Sequence, residues 1–212
     1  MRVKICGITR AADAVAAEAA GADAIGLMFV SESPRAISMA QGRELSEAVG
    51  PLMVRVGVFR DAPLEQVLES VEELRLGAVQ LHGSEDVAYL RAIRRKVPVV
   101  RAVSFGPHLL RDELESQPAD ALLLDGLRPG SGRTFDWSSA AHLRGMPRLI
   151  LAGGLHPGNV TAGIEALRPH AVDVSSGVEE SPGIKDAKLM ALFVSQAHVA
   201  DIGRATLGAA GA

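Results

Sequence analysis

Cys6 is the only cysteine in the 212-residue chain, and it closes the apolar run Val3-Lys4-Ile5-Cys6 just before a glycine. A free thiol in such a place has two readings. It is a small buried hydrophobe, as free cysteines most often are, or, once deprotonated, a base able to take a proton from carbon. Asp125 closes an equally apolar run, Ala121-Leu122-Leu123-Leu124-Asp125. A carboxylate there must be satisfied by hydrogen bonds or carry a shifted pKa. Either suits it to general acid or base work, and it could equally hold the glycine-rich loop that follows. Arg35, in Ser33-Pro34-Arg35, is a fixed cation matched to a carboxylate or a phosphate. His82, in Gln80-Leu81-His82-Gly83, can titrate near neutrality. Two further segments, Ala152-Gly153-Gly154 and Ser175-Ser176-Gly177, let backbone N–H groups approach an anion with no Cβ in the way, or simply turn tightly.

These residues fall at a common kind of position. Eight short apolar runs recur, at 3–6, 23–30, 52–59, 78–81, 97–103, 119–125, 148–152 and 171–174. Most are near-continuous rather than alternating, as strands covered on both faces should be. Segments of helical spacing separate them, such as PLEQVLESVEELRL and EDVAYLRAIRRK. Ser38 to Gln41 reads as a capping box, Ser84 as the cap of the fourth helix and Asn159 as the cap of the seventh. The sixth connection, RPGSGRTFDW, reads as a long loop before a modest helix. The second, fourth, sixth and eighth units open alike, as GADAIGL, GAVQLHG, PADALLLDG and HAVDVSSG, which is what duplication of a two-strand unit would leave. Eight alternating strands and helices without a GxGxxG fingerprint after the first strand predict an α/β fold, a single parallel (β/α)8 TIM barrel, over an open doubly wound sheet.

In such a barrel the loops after the strands form the active face. Cys6, Arg35, His82, Asp125, Gly154, Ser176 and Gly177 all lie just beyond strand ends. The loops after strands seven and eight are where barrels commonly hold phosphate, so the pair of glycine segments predicts a phosphorylated small-molecule substrate. Asp173 lies inside the eighth run and reads as a hydrogen-bonding residue. Arg128-Pro129-Gly130-Ser131-Gly132 resembles a lid and lacks the GK[ST] ending of a nucleotide P-loop, which argues against nucleoside triphosphates.

Length and composition set the remaining bounds. With 48% hydrophobic and 22% charged residues, the chain supports one core, read as a barrel domain over 1–201 followed by a fraying small-residue tail over 202–212. A net charge of -3 with scattered Lys and Arg argues against nucleic acid or a membrane surface as partner. No run approaches the roughly 18 apolar residues of a membrane span. A single cysteine forms no internal disulfide and no cysteine-rich zinc site, in keeping with a reducing, cytoplasmic setting and no metal. A monomer or homodimer is the expectation.

The motifs Val3-Lys4-Ile5-Cys6-Gly7-Ile8-Thr9, Ser33-Pro34-Arg35, Val56-Gly57-Val58-Phe59, Gln80-Leu81-His82-Gly83, Thr134-Phe135-Asp136-Trp137, Ala152-Gly153-Gly154-Leu155 and Asp173-Val174-Ser175-Ser176-Gly177-Val178-Glu179 occur in this order. Together with Pro182-Gly183-Ile184-Lys185-Asp186 they closely resemble the phosphoribosylanthranilate isomerase family of tryptophan biosynthesis, over nearly the whole chain. The resemblance implies a cofactor-free Amadori rearrangement of N-(5'-phosphoribosyl)anthranilate to 1-(2-carboxyphenylamino)-1-deoxyribulose 5-phosphate. It implies Cys6 as general base, Asp125 as general acid, Arg35 on the anthranilate carboxylate, His82 at the substrate, and Gly154, Ser176 and Gly177 around the phosphate. Pro129-Gly130-Ser131-Gly132 departs from the family's more usual Gly-Gly-Thr-Gly in the lid. The nearest rival, the histidine-pathway isomerase, uses two aspartates, and Cys6 in place of the first argues against it. A silent sugar-phosphate-binding barrel would need neither Cys6 nor Asp125.

Overall fold

A computed structural model describes residues 1–106, 109–126 and 134–209, with side chains described as far as Asp201. Each of the eight apolar runs forms a strand: β1 (Arg2–Cys6), β2 (Ala24–Met28), β3 (Val54–Phe59), β4 (Ala78–Leu81), β5 (Val99–Ser104), β6 (Ala121–Asp125), β7 (Leu149–Leu151) and β8 (Ala171–Val174). They pair in parallel and in sequence order into a closed barrel, with β8 returning to β1. Closure leaves no strand edge, and burial on both faces accounts for the near-continuous apolar runs.

Around the barrel run α1 (Ala11–Ala19), α2 (Met39–Glu47), α3 (Leu64–Glu73), α4 (Val87–Arg94), α5 (Arg111–Glu115), α6 (Val160–Leu167) and α7 (Ala187–Ala209). The sixth connection holds a 3-10 helix, Trp137–Leu143, in place of a regular α-helix. The Pro129-Gly130-Ser131-Gly132 lid lies outside the described residues. The last helix continues in its backbone to Ala209, past residue 201, where the barrel's end is drawn from sequence.

Ser38 caps α2 through a complete capping box, as its spacing predicts. The other two predicted caps need correction. Asp86, not Ser84, accepts from the backbone of Tyr89 to cap α4, and Ser84 instead donates its backbone and hydroxyl to Asp61. Asn159 occupies the cap position of α6 but makes no capping bond; its side chain accepts from His156 N–H and donates to the Gly154 carbonyl at 3.0 Å. It braces the β7 loop rather than the helix.

Strand residues alternate in direction, and this parity decides what faces the substrate side. Val3, Ile5, Ile25, Leu27, Val79, Leu81, Leu122, Leu124, Val172 and Val174 belong to the large core that packs with the helices. Fully burying such an aliphatic side chain is worth about 1.5–3 kcal/mol. The intervening residues point into the barrel. There a small apolar cluster of Ala102, Leu123 and Ala152 fills one side, and the buried polar residues Lys4, Gln80, Asp125 and Asp173 occupy the rest.

After β8 the chain adds something the eight runs do not announce, a short antiparallel hairpin of β9 (Glu179–Ser181) and β10 (Ile184–Lys185). It turns through Gly183, whose φ of 82° suits glycine, and whose carbonyl accepts a hydrogen bond from the Thr9 hydroxyl.

Candidate active site

A cavity of about 290 Å³ opens at the C-terminal ends of the strands. Cys6, Arg35, His82 and Asp125 all line it, together with Gln80 and Asp173. Around the barrel β7 and β8 stand between the strands of Cys6 and Asp125. Gly154, Ser176 and Gly177 are not in the cavity wall. They meet beside it, because Gly177 packs directly on the Leu155 backbone, and the neighbouring Ser175 reaches the cavity.

Asp125 is 9% exposed. Its Oδ1 accepts from Gly126 N–H at 2.7 Å, and a Cβ on Gly153 would stand 2.9 Å from that oxygen, so glycine lets the β7 loop close over the carboxyl. Burial pushes Asp125 up to about 6, against the lowering effect of the Gly126 hydrogen bond. A carboxyl in that state is half protonated at mildly acid pH and can deliver a proton.

Cys6 is buried, and burial pushes its thiol above the ordinary value, with Lys4 pulling it down and Asp173 pushing it further up. Free enzyme therefore carries mainly the thiol rather than the thiolate. Lys4 Nζ donates to Asp173 Oδ1 at 2.9 Å. Burial opposes the Lys4 charge, but Asp173 and Cys6 together outweigh it and raise the ammonium's pKa, while burial pushes the Asp173 carboxyl up against the lowering pull of Lys4 and Lys185. Asp173 has the hydrogen-bonding role that its mid-strand position predicts, and it also lines the cavity.

Arg35 is buried and already engaged. Its Nε and Nη2 form a fork on Glu179, both at 2.7 Å, leaving Nη1 outside that fork. Lys185, whose side chain is fully buried, donates to the same Glu179 at 2.7 Å. Burial opposes the Glu179 charge, but Arg35 and Lys185 hold its carboxyl below the usual range. Glu179 and Lys185 stand in quoted motifs yet draw no role from sequence, because only the hairpin after β8 carries them back to Arg35.

His82 Nε2 lies 3.9 Å from Asp125 Oδ2, too far for a hydrogen bond. Burial, then the charges of Arg60 and Lys4, pushes the imidazole down to about 4, so it is neutral at physiological pH. His82 Nε2 and Gln80 Oε1 are both buried with no hydrogen-bond partner among the described residues. An unsatisfied buried polar atom costs about 1–3 kcal/mol, and two on one cavity wall are suited to a polar ligand. No group of three or more metal-ligating side chains converges among the described residues, and no helix there is long and apolar enough to cross a membrane.

Comparison with known proteins bears on the fold and the family. The family profile described as N-(5'-phosphoribosyl)anthranilate (PRA) isomerase matches residues 3–196. The isomerase of that name from Cellvibrio japonicus is 44% identical over 201 residues, covering 92% of each chain, and that from Thermotoga neapolitana is 45% identical, covering 93% of this chain and 98% of its own. The crystal structure of phosphoribosyl anthranilate isomerase from Thermus thermophilus superposes with a TM-score of 0.88 at 46% identity, covering 94% of this chain and 99% of that one. A second, in complex with reduced 1-(o-carboxyphenylamino)-1-deoxyribulose 5-phosphate, superposes with a TM-score of 0.85 at 39% identity over the same shares. With a match at this level along nearly its whole length, the chain belongs to the N-(5'-phosphoribosyl)anthranilate isomerase family and is an enzyme of the isomerase class.

Proposed function

We propose that this chain converts N-(5'-phosphoribosyl)anthranilate into 1-(2-carboxyphenylamino)-1-deoxyribulose 5-phosphate in tryptophan biosynthesis, with Asp125 as general acid and Cys6 as general base. The observation that carries the reading is the gathering of a buried carboxyl near pKa 6, a lone thiol and a buried guanidinium on one cavity, in a chain of this family.

The reaction needs two proton movements and no redox partner. Protonated Asp125 gives its proton to the ring oxygen of the ribose as the C1'–O bond breaks, and the anilino nitrogen supplies the electron pair that forms an iminium. The iminium acidifies the C2' hydrogen. Cys6, as thiolate, takes that proton, and the C2'–H electrons form the enolamine double bond, which neutralises the iminium nitrogen. Tautomerisation of the enolamine gives the ketose, and net proton count is unchanged. General acid and base steps of this kind each contribute about 10²–10⁴-fold.

Binding follows from charge and geometry. Arg35 Nη1, free of the Glu179 fork, addresses the anthranilate carboxylate. Backbone N–H groups at Gly154, Ser176 and Gly177 take the phosphate. His82 and Gln80 offer their unpaired polar atoms to the sugar hydroxyls. The test is the loss of phosphoribosylanthranilate fluorescence with wild type, Cys6→Ala and Asp125→Ala. Rapid loss with wild type and severe slowing in both variants is expected. Unchanged fluorescence with wild type, or turnover of the histidine-pathway substrate alone, would overturn the activity; near-normal turnover by Cys6→Ala would overturn the role of the base.

A further inference from the structure

Two buried side chains, a lysine and an aspartate, lie beneath the Cys6 thiol. Lys4 is two residues before Cys6 on β1 and shares its inward face. Across the seam where the barrel closes, Lys4 is in register with Asp173, and the two form an ion pair with side chains 8% and 9% exposed. On the opposite side of β1, Gly26 is in register with Cys6. A Cβ on Gly26 would stand 2.7 Å from Cys6 Sγ and 3.2 Å from Lys4 Nζ. Sulfur and ammonium therefore share the small space that the missing side chain leaves.

A buried ion pair is a poor device for stability, since an apolar pair of similar volume often serves as well or better. Its place directly under a thiol suggests another purpose. We propose that Lys4 and Asp173 are positioning residues that set how readily Cys6 releases its proton: Asp173 anchors the Lys4 ammonium beside Sγ, where it favours the thiolate, and offsets part of that help with its own charge. This rests on the reading of Cys6 as the base. The balance suits a carbon base, because a thiolate stabilised too strongly loses proton affinity, while an unassisted buried thiol does not ionise.

Other charges face Cys6 from separate elements, and their arrangement differs. Lys185 on β10 and Arg35 after β2 reach towards it, but Glu179 holds both. Asp125 on β6 and the neutral His82 after β4 complete the polar wall. Among these groups Lys4 is the largest charge favouring the thiolate, and Asp173 the largest opposing it.

One cysteine in the chain makes thiol chemistry a report on Cys6 alone. The experiment measures the pH midpoint of iodoacetamide alkylation of the purified chain without substrate, alongside the pH dependence of kcat/KM. Lys4→Met is expected to raise the midpoint by about 1–2 pH units and Asp173→Asn to lower it by a similar amount, with the alkaline limb of kcat/KM moving the same way. Each single variant leaves a buried charge unpaired, so Lys4→Met/Asp173→Asn removes both. Its midpoint is expected above wild type, because Lys4 is the larger influence, but below that of Lys4→Met. Coincident midpoints, shifts of the same sign in the two singles, or a double variant at or below wild type would overturn the proposal. Near-normal turnover by Cys6→Ala would remove the base reading while leaving the midpoint shifts standing, so the two failures are separable.

Discussion

Gly177→Ala isolates the contact between the β7 and β8 loops. Gly177 packs on the Leu155 carbonyl oxygen so closely that no Cβ fits, and that Cβ would also stand 2.9 Å from both the Leu155 carbonyl carbon and His156 Cβ. Carbon atoms prefer about 3.5–4.0 Å, so the two loops must separate by about 1 Å. Overpacking of this size costs about 1–3 kcal/mol of stability, which lowers Tm by about 2–4 °C per kcal/mol for a chain of this length. The larger effect falls on substrate. If Gly154, Ser176 and Gly177 jointly hold the phosphate, a displacement near 1 Å costs on the order of 10²-fold in kcat/KM, expressed mainly as a higher KM because the phosphate is remote from the reacting carbon. Steady-state kinetics from the fluorescence decay, with inhibition by inorganic phosphate as a second readout, measure both. A variant with the expected small fall in Tm but unchanged KM and unchanged phosphate inhibition would refute the placement of the phosphate there.

Three further outcomes follow from the same site. In the proposed reaction Asp125, at about 6, must be protonated while Cys6, raised above its ordinary value, must be ionised. In wild type kcat/KM should therefore rise through about pH 6, level off, and fall once the thiol ionises and Asp125 no longer holds a proton. Asp125→Asn needs only the thiolate, so its residual kcat/KM should rise into the alkaline range after a loss of about 10²–10⁴-fold; an alkaline fall like that of wild type would count against Asp125 as the acid. Gly26→Ala pushes a methyl against Cys6 Sγ and Lys4 Nζ, and kcat is expected to drop by about tenfold or more while Tm falls by only a few degrees; unchanged kcat would show that the thiol's position is unimportant. Glu179→Gln keeps the shape but removes the charge shared by Arg35 and Lys185. Its expected signature is a several-fold change in KM with kcat nearly preserved, read from the same fluorescence assay, and an unaltered KM would disconnect Arg35 from the substrate carboxylate.

The architecture was legible in the chain because strand and helix signals are local. Eight apolar runs became eight strands, and the Ser38 capping box formed as its spacing required. Cys6, Arg35, His82 and Asp125 stood out because each closes or follows an apolar run, and barrel closure brings them to one cavity. Local signals failed where partners are distant in sequence or compete within a few residues. Ser84 looked like a cap, but Asp61, 23 residues away, claims it and leaves Asp86 to cap α4. Glu179 and Lys185 gave no sign of their task, since the hairpin after β8 is too short to show a period. Cys6 illustrates the division most clearly. Its identity and place at a strand end are properties of the chain alone, whereas its surroundings depend on Asp173, 169 residues from Lys4, arriving when β8 closes against β1. Residue type and periodicity determine which elements form and which groups can do chemistry; only closure of the barrel decides which charges meet in its buried interior, where the lower dielectric makes those meetings matter.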